Sequence, residues 1–159
     1  MSSDLYDLGA VGSGRVVICA APASAELPNW VSQLKQIGAT LVVSLLEEAE
    51  SERIGLEAEE DALTASGLTF LRFPIADFGV PEKTPAKELI AELSKRLAHQ
   101  ETVAIHCRGG VGRSGMIAAC LMINEGWSFD QALEHISSAR GQAVPETEDQ
   151  RHFIRDFDT

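Results

Sequence analysis

Residues 106–115, HCRGGVGRSG, form a glycine-rich segment between two apolar stretches. Residues 103–105 (VAI) favour a buried strand before it, and residues 114–124, apolar on nearly every side, favour a helix surrounded by protein. Three of the four residues 109–112 are glycine, so the backbone can curl with successive N–H groups pointing inward at the N-terminus of that helix. This arrangement predicts a binding site for a phosphate group.

Two side chains of the segment complete a reactive site. Cys107 and Arg113 lie six residues apart, which lets the loop hold a thiol at its base and a guanidinium at its rim. The planar guanidinium can bind two phosphate oxygens at once, which a lysine cannot do. Inward N–H groups, a helix N-terminus and a nearby guanidinium all favour the thiolate form of cysteine. Cys107 is therefore the candidate nucleophile.

Outward from this segment, short β-branched runs alternate with amphipathic stretches, which is typical of an α/β fold. The pattern predicts one domain over residues 1–159, with a mostly parallel sheet of four to five strands flanked by helices and an all-helical C-terminal third. Strands are expected at residues 15–20, 40–45, 68–73 and 102–106. Helices are expected at residues 27–37 and 57–66, from Thr84 and Pro85 onward, at 114–124, and after capping boxes at 128–131 and 147–150. Trp30, Val31, Leu34 and Ile37 are expected to form the apolar face of the first helix.

Composition restricts the partners. The 159 residues include 13 Lys and Arg against 24 Asp and Glu, a formal net charge of −11, so a cationic face for nucleic acid or an anionic membrane is not expected. The apolar runs are strand-sized, and the N-terminus lacks the pattern of a signal peptide. Three cysteines without a C-x-x-C motif suit a reducing compartment, and Cys19 and Cys120 are expected to be core thiols. These features predict a cytoplasmic protein.

The segment Cys107 to Arg113, with Ser114 following, resembles the Cys-x5-Arg-Ser loop of the protein tyrosine phosphatase superfamily. The short chain and the following Ala-Cys-Leu run are most similar to the compact dual-specificity branch, including the cyclin-dependent kinase inhibitor 3 type of phosphatase. The resemblance extends from about Phe70 to Phe157, whereas the first sixty residues match only in general α/β character.

The resemblance implies a phosphatase-like fold and hydrolysis of phosphotyrosine through a cysteinyl-phosphate, with phosphoserine and phosphothreonine as further candidates. The substrate would be a phosphorylated protein or a small phosphomonoester, phosphate or sulfate is expected in the loop, and no metal or cofactor is implied. Asp77, thirty residues before Cys107, would be the general acid, and Ser114 would stabilise the departing thiolate. The phosphate would be held by Arg108, Gly109, Gly110, Val111, Gly112 and Arg113.

Other residues remain as alternatives for individual roles. Asp61, Glu47 and Glu48 are weaker candidates for the acid. The segment from Arg140 to Gln150 resembles the part of the family that orders the hydrolytic water, although Glu146 stands where tyrosine-specific members carry Gln. In a second interpretation Thr147 and Gln150 simply cap a helix.

Rival functions use parts of the same segment. A rhodanese-like sulfurtransferase also places a cysteine in an anion-binding loop, and a non-catalytic phosphate-recognition module would retain the loop without turnover. Gly110, Gly112 and Gly115 match a dinucleotide-binding fingerprint, but no second strand is expected downstream. His106 is expected to be a hydrogen-bonded residue that shapes the loop rather than a metal ligand.

Overall fold

A five-stranded sheet carries the glycine-rich segment. In the computed structural model, which describes residues 5–157, the strands are β1 (Leu5–Val11), β2 (Gly14–Cys19), β3 (Ala39–Ser44), β4 (Thr69–Arg72) and β5 (Thr102–His106). Their order across the sheet is β1-β2-β5-β3-β4. β2, β5, β3 and β4 are parallel, and β1 pairs antiparallel with β2. The prediction of an α/β fold with a mostly parallel sheet is confirmed.

β1 is a strand that the hydrophobic pattern does not predict. It contains Asp7 and Gly9, residue types that are depleted in strands, and the register with β2 shifts between them. The Gly9 N–H donates to Asp7 Oδ1 at 2.7 Å, and the Asp7 carboxylate also pairs with Arg15 on β2. These polar contacts replace the alternating hydrophobicity by which an edge strand is recognised.

Seven α-helices cover the sheet within residues 5–157: α1 (Leu27–Gln36), α2 (Glu48–Arg53), α3 (Glu59–Ala65), α4 (Lys83–Ala98), α5 (Gly112–Asn124), α6 (Phe129–Arg140) and α7 (Glu148–Asp156). α2 is absent from the sequence prediction because its six residues, EAESER, carry no apolar periodicity. After β5 the described chain contains helices and loops, so the all-helical C-terminal third is confirmed, and no strand follows α5 as a dinucleotide fold requires. None of the described helices combines the length and apolarity needed to cross a bilayer.

The core has two layers, one on each face of the sheet. Val16, Ile18, Leu41 and Val103 belong to the cluster that includes α4, α5, α6 and α7, whereas the alternating Val17, Val42 and Ala104 belong to the cluster that includes α1 and α3. Every residue of α5 from Gly112 to Met122 is buried, which confirms the prediction that this helix is surrounded by protein.

The prediction that Ile37 lies on the buried face of α1 is wrong. Ile37 is 40% exposed, whereas Trp30, Val31 and Leu34 are buried. The reason is that α1 ends at Gln36, so Ile37 is the C-cap and leaves the apolar stripe of the helix.

The parallel strands end at a common edge, and this edge holds the site. β5 ends at His106 and leads into the glycine-rich loop, β3 ends at Ser44 just before α2, and β4 ends at Arg72 before the loop that carries Asp77. Side chains far apart in the sequence therefore meet beside Cys107, as expected at the carboxyl edge of an α/β sheet.

Candidate active site

The Cys107 sulfur lies at the bottom of the loop between β5 and α5. Cys107 is 2% exposed, its Sγ accepts a hydrogen bond from the Gly110 N–H at 3.3 Å, and Ser114 Oγ lies 3.3 Å from the same sulfur. Gly110 has a φ of 74°, and a Cβ there would lie 2.8 Å from the Ala20 backbone nitrogen. Only glycine therefore suits both the backbone conformation and the space at this turn.

Arg113 is a buried cation fixed by a carboxylate. Its Nη1 and Nη2 donate to the two oxygens of Glu50, each at 2.8 Å, and Nη1 also donates to the Ile75 carbonyl at 2.9 Å. Asp77 Oδ1 lies 3.3 Å from Nη2. Both terminal nitrogens of the guanidinium therefore contact protein groups.

Electrostatics stabilise both charges of the Arg113 and Glu50 pair. Burial, the largest influence on Arg113, lowers its pKa, but the hydrogen bonds to Glu50 and the negative groups nearby outweigh burial and raise the pKa above its ordinary value. The hydrogen bonds from Arg113 hold the pKa of Glu50 below its usual value in spite of burial. The pair is therefore ionised at neutral pH.

Asp77 lies at the rim of the site. Its side chain is 52% exposed, and its carboxylate forms the ion pair with Arg113 given above. The loop before it is anchored to the sheet by the Ile75 N–H, which donates to the Leu45 carbonyl at 3.0 Å. The alternative acids Glu47, Glu48 and Asp61 are exposed, and the ion pairs of Arg113 within residues 5–157 are with Glu50 and Asp77.

His106 lies behind the loop and is completely buried. Its Nε2 is 2.5 Å from Glu59 Oε2, and its Nδ1 is 3.1 Å from the Cys107 carbonyl oxygen. The Trp30 ring packs edge-on against the imidazole at 5.4 Å. His106 thus has the hydrogen-bonded environment that the sequence predicts, and the described residues contain no cluster of three His, Cys, Asp or Glu side chains suited to a metal ion.

The outer side of the loop is held by Arg140, the last residue of α6. Its guanidinium donates to the Gly110 carbonyl at 2.8 Å and to the Gly109 carbonyl at 3.3 Å, and it stacks on the Tyr6 ring at 3.9 Å. Two carbonyls of the loop are thereby bound on its outer side, which leaves its interior to N–H groups. Arg108 is exposed, and its carbonyl accepts from the Ala21 N–H at 3.0 Å.

The segment before α7 packs against the other end of the loop. A Cβ on Gly112 would lie 2.3 Å from Glu146 Oε1 and 3.0 Å from Gln150 Oε1, so these side chains contact the first turn of α5. Thr147 is the N-cap of α7, and its Oγ1 accepts from the Gln150 N–H at 3.1 Å. The predicted cap by Thr147 is confirmed. The Gln150 side chain does not complete the capping box and instead contacts Glu146 and Gly79.

Comparison with known proteins identifies this architecture. A family model described as "Tc-R-P: Polymorphic toxin system, DSP-PTPase phosphatase" matches residues 20–127, more than half of the chain. The chain belongs to this phosphatase family. The match confirms the resemblance to compact dual-specificity phosphatases, and it favours phosphatase chemistry over that of a sulfurtransferase.

Individual relatives agree with the family match. Human cyclin-dependent kinase inhibitor 3 is 32% identical over 99 residues, which cover 61% of this chain and 47% of that protein. Human protein tyrosine phosphatase type IVA 3 is 26% identical over 132 residues, which cover 82% of this chain and 72% of that protein. The matched region thus spans less than half of the cyclin-dependent kinase inhibitor 3 proteins.

The fold of the chain also matches a solved structure. A crystal structure of kinase associated phosphatase, in which serine replaces the catalytic-site cysteine, superposes with a TM-score of 0.86. The superposition covers 99% of this chain and 96% of that chain, at 22% sequence identity. At this identity the superposition establishes the shared fold.

Several residues of the candidate site are not found by sequence reasoning. Glu50, Glu59 and Arg140 contact loop residues from positions at least thirty residues away along the chain. The only signal for Glu50 is an acidic segment directly after a predicted strand, because the carboxyl ends of parallel strands share one edge. Nothing in the sequence distinguishes Glu50 from Glu47 and Glu48 before the fold buries it.

Proposed function

We propose that residues 1–159 act as one cysteine-dependent phosphatase domain that hydrolyses phosphotyrosine, and also phosphoserine and phosphothreonine, through a cysteinyl-phosphate. The observation that carries the proposal is the Cys107 sulfur, which is within hydrogen-bond distance of the Gly110 N–H and Ser114 Oγ at the N-terminus of α5. Such a site binds the phosphate dianion and favours a thiolate.

In the first step the Cys107 thiolate attacks phosphorus, an S–P bond forms, and the bond from phosphorus to the leaving oxygen breaks. Loop N–H groups from Arg108 to Arg113 and the Arg113 guanidinium hold the phosphoryl oxygens, where negative charge is stabilised during transfer. Asp77 protonates the leaving phenolate or alkoxide. The contact between Asp77 and Arg113 supports this role, since it holds the carboxyl group at the rim of the site.

In the second step water attacks the phosphorus of the cysteinyl-phosphate, and the S–P bond breaks to return the thiolate. Asp77, now a carboxylate, takes the proton from the attacking water. Ser114 donates a hydrogen bond to the departing sulfur, consistent with the 3.3 Å separation of the two atoms. The products are inorganic phosphate and the free enzyme.

The substrate is a phosphorylated protein or a small phosphomonoester, because loop N–H groups at a helix N-terminus and the Arg113 guanidinium are suited to bind a phosphate group. Phosphatase relatives support a phosphoprotein substrate. The reaction requires a reduced sulfur, so a reducing compartment such as the cytoplasm suits it.

The test is turnover of p-nitrophenyl phosphate and of a phosphotyrosyl peptide by the whole chain and by two cysteine variants. We expect Cys107→Ser to lower kcat by at least about 10³-fold, because serine is a far weaker nucleophile at neutral pH. Cys120→Ala is the matched control, since burial in α5 raises the pKa of the Cys120 thiol and keeps it protonated. This control should retain turnover.

Acid quenching during turnover should yield a phosphate adduct on the peptide that contains Cys107. Phosphopeptide binding without turnover by the unmodified chain would instead identify a non-catalytic recognition module. Equal losses of activity in the Cys107 and Cys120 variants would contradict the assignment of the nucleophile.

A further inference from the structure

Gln150 departs from the capping role that its sequence position predicts. In a complete capping box its side chain would bind the Thr147 N–H. Its Oε1 instead accepts from the Glu146 N–H at 3.1 Å, and its Nε2 donates to the Gly79 carbonyl at 3.2 Å. Gln150 is 0% exposed, so this amide is committed to two loops that are distant in sequence.

Gly79 belongs to the loop that carries Asp77. Within the described residues, two interactions join residues 76–81 to other elements: the ion pair of Asp77 with Arg113 and the hydrogen bond from Gln150 to Gly79. The Gly79 N–H donates to the Ala76 carbonyl at 2.8 Å, which closes a tight turn around Asp77. Gln150 therefore holds the far side of the turn on which the acid stands.

Gln150 also touches the phosphate-binding loop. Its Oε1 lies 3.0 Å from the place where a Cβ of Gly112 would be, at the first residue of α5. A single buried amide thus packs between the acid loop and the nucleophile loop. A shift of one of these loops would therefore displace the other through Gln150.

We propose that Gln150 is a positioning residue that holds the Asp77 loop closed over the phosphate, an inference that rests on the proposed function. Without the hydrogen bond to Gly79, the turn loses its tie to α7 and Asp77 spends less time within reach of the leaving oxygen. In the first step, which kcat/KM reports, the loss falls on protonation of the leaving group. It therefore grows as the leaving group becomes more basic.

The chain offers a matched control in Gln131. This residue holds the same N3 position in α6, where the Ser128 Oγ accepts from the Gln131 N–H and the Gln131 Oε1 accepts from the Ser128 N–H, each at 3.0 Å. It is exposed on the surface and makes a complete capping box. Gln131→Met removes a cap without touching the acid loop.

The kinetic experiment compares Gln150→Met and Gln131→Met on p-nitrophenyl phosphate and on phenyl phosphate, whose leaving group is more basic. We expect Gln150→Met to lower kcat/KM for phenyl phosphate by about 10- to 100-fold, less than the full effect of removing a general acid, and kcat/KM for p-nitrophenyl phosphate by less than about threefold. Gln131→Met should change neither. In an Asp77→Asn background Gln150→Met should cause no further loss.

A second measurement is independent of turnover. Hydrogen exchange of the backbone amides in residues 76–81 should become faster in Gln150→Met and stay unchanged in Gln131→Met. Gln150→Glu serves as a second variant that preserves volume, because an ionised carboxylate accepts from the Glu146 N–H but has no proton for the Gly79 carbonyl. It should give the same two results.

The outcomes separate the positioning role from the proposed function. Unchanged exchange in residues 76–81, an equal loss of kcat/KM on both substrates, or a further loss of kcat/KM in the Asp77→Asn background would overturn the role of Gln150. Faster exchange in a chain that hydrolyses no phosphomonoester would support the tie between Gln150 and the loop and reject the proposed function. If the loss caused by Asp77→Asn does not depend on the leaving group, the acid assignment is rejected, and the kinetic role of Gln150 is rejected with it. The phosphatase activity itself would stand.

Discussion

Two buried glutamates, Glu50 in α2 and Glu59 in α3, bind residues at the two ends of the loop, Arg113 and His106, and their environments differ. Both oxygens of Glu50 are bound by Arg113, at 2.8 Å each. Only one oxygen of Glu59 is bound, by His106, while Glu59 Oε1 is buried without a hydrogen-bond partner in the described residues. Glu50 binds the cation beside Cys107, whereas Glu59 binds the His106 imidazole behind the loop.

The difference indicates two roles for a buried carboxylate: to orient a substrate-binding group, or to stabilise the structure around the nucleophile. Glu50 orients a group that we expect to touch the substrate, so its loss should affect both turnover and stability. Glu59 fixes the residue before the nucleophile, and His106 in turn contacts the Cys107 carbonyl rather than its sulfur. Loss of Glu59 should affect stability far more than turnover.

The largest effect is expected from Arg113→Lys, which keeps the charge beside Glu50 and removes the planar fork. We expect kcat for p-nitrophenyl phosphate to fall by about 10³-fold, because an ammonium cannot bind Glu50 in two places and the phosphoryl group at once. Steady-state kinetics measures the loss, and thermal unfolding checks that the variant is folded. Activity within tenfold of the unmodified chain would show that only the charge matters.

Glu50→Gln should have the next largest effect. It removes the buried carboxylate partner of Arg113 and leaves the half-exposed Asp77 as its ion-pair partner within the described residues, so we expect the free energy of unfolding to fall by about 3–5 kcal/mol. Displacement of the guanidinium should lower kcat by up to about 10²-fold. Denaturant unfolding and kinetics at neutral pH measure the two effects. A stable variant with full activity would contradict the claim that Glu50 orients Arg113.

Glu59→Gln should separate stability from turnover. We expect a smaller loss of unfolding free energy, about 1–3 kcal/mol, because Glu59 makes one hydrogen bond to His106 and its other oxygen has no partner to lose. We expect kcat to change by less than about threefold, well below the effect of misplacing a substrate-binding group. If kcat falls as much as in Glu50→Gln, the two carboxylates have equivalent roles.

The smallest effect is a difference in acid stability. The pKa of Glu50 is lowered in the folded chain, so its stabilising contribution is present above the ordinary value of 4.5 and is lost as the pH falls through the lowered pKa. The difference in melting temperature between the unmodified chain and Glu50→Gln should therefore be full at pH 7 and shrink in acid below 4.5. Thermal melts across this range measure it, and a difference that is constant with pH would contradict the ion pair.

The two capping motifs, at the starts of α6 and α7, show which hydrogen bonds a local sequence motif predicts and which it does not. Ser128 and Gln131 form the predicted reciprocal cap at an exposed helix start. Thr147 caps α7 as predicted, yet the Gln150 side chain is drawn away to Glu146 and Gly79. The same local motif thus has two outcomes, because burial against two other loops offers Gln150 alternative partners that the sequence around it does not reveal.

The sequence by itself determined the parallel α/β class, the loop after β5, and the presence of a cysteine, an arginine and a serine at fixed positions within it. These features depend on interactions between residues close in the chain: strand and helix periodicity, glycine conformation and capping. Only the tertiary structure decided that Glu50 holds Arg113, that Glu59 holds His106, and that Gln150 reaches the Asp77 loop. Those contacts join residues 47 to 71 positions apart, and burial selects them from many chemically similar side chains after the sheet has brought its loops to one edge.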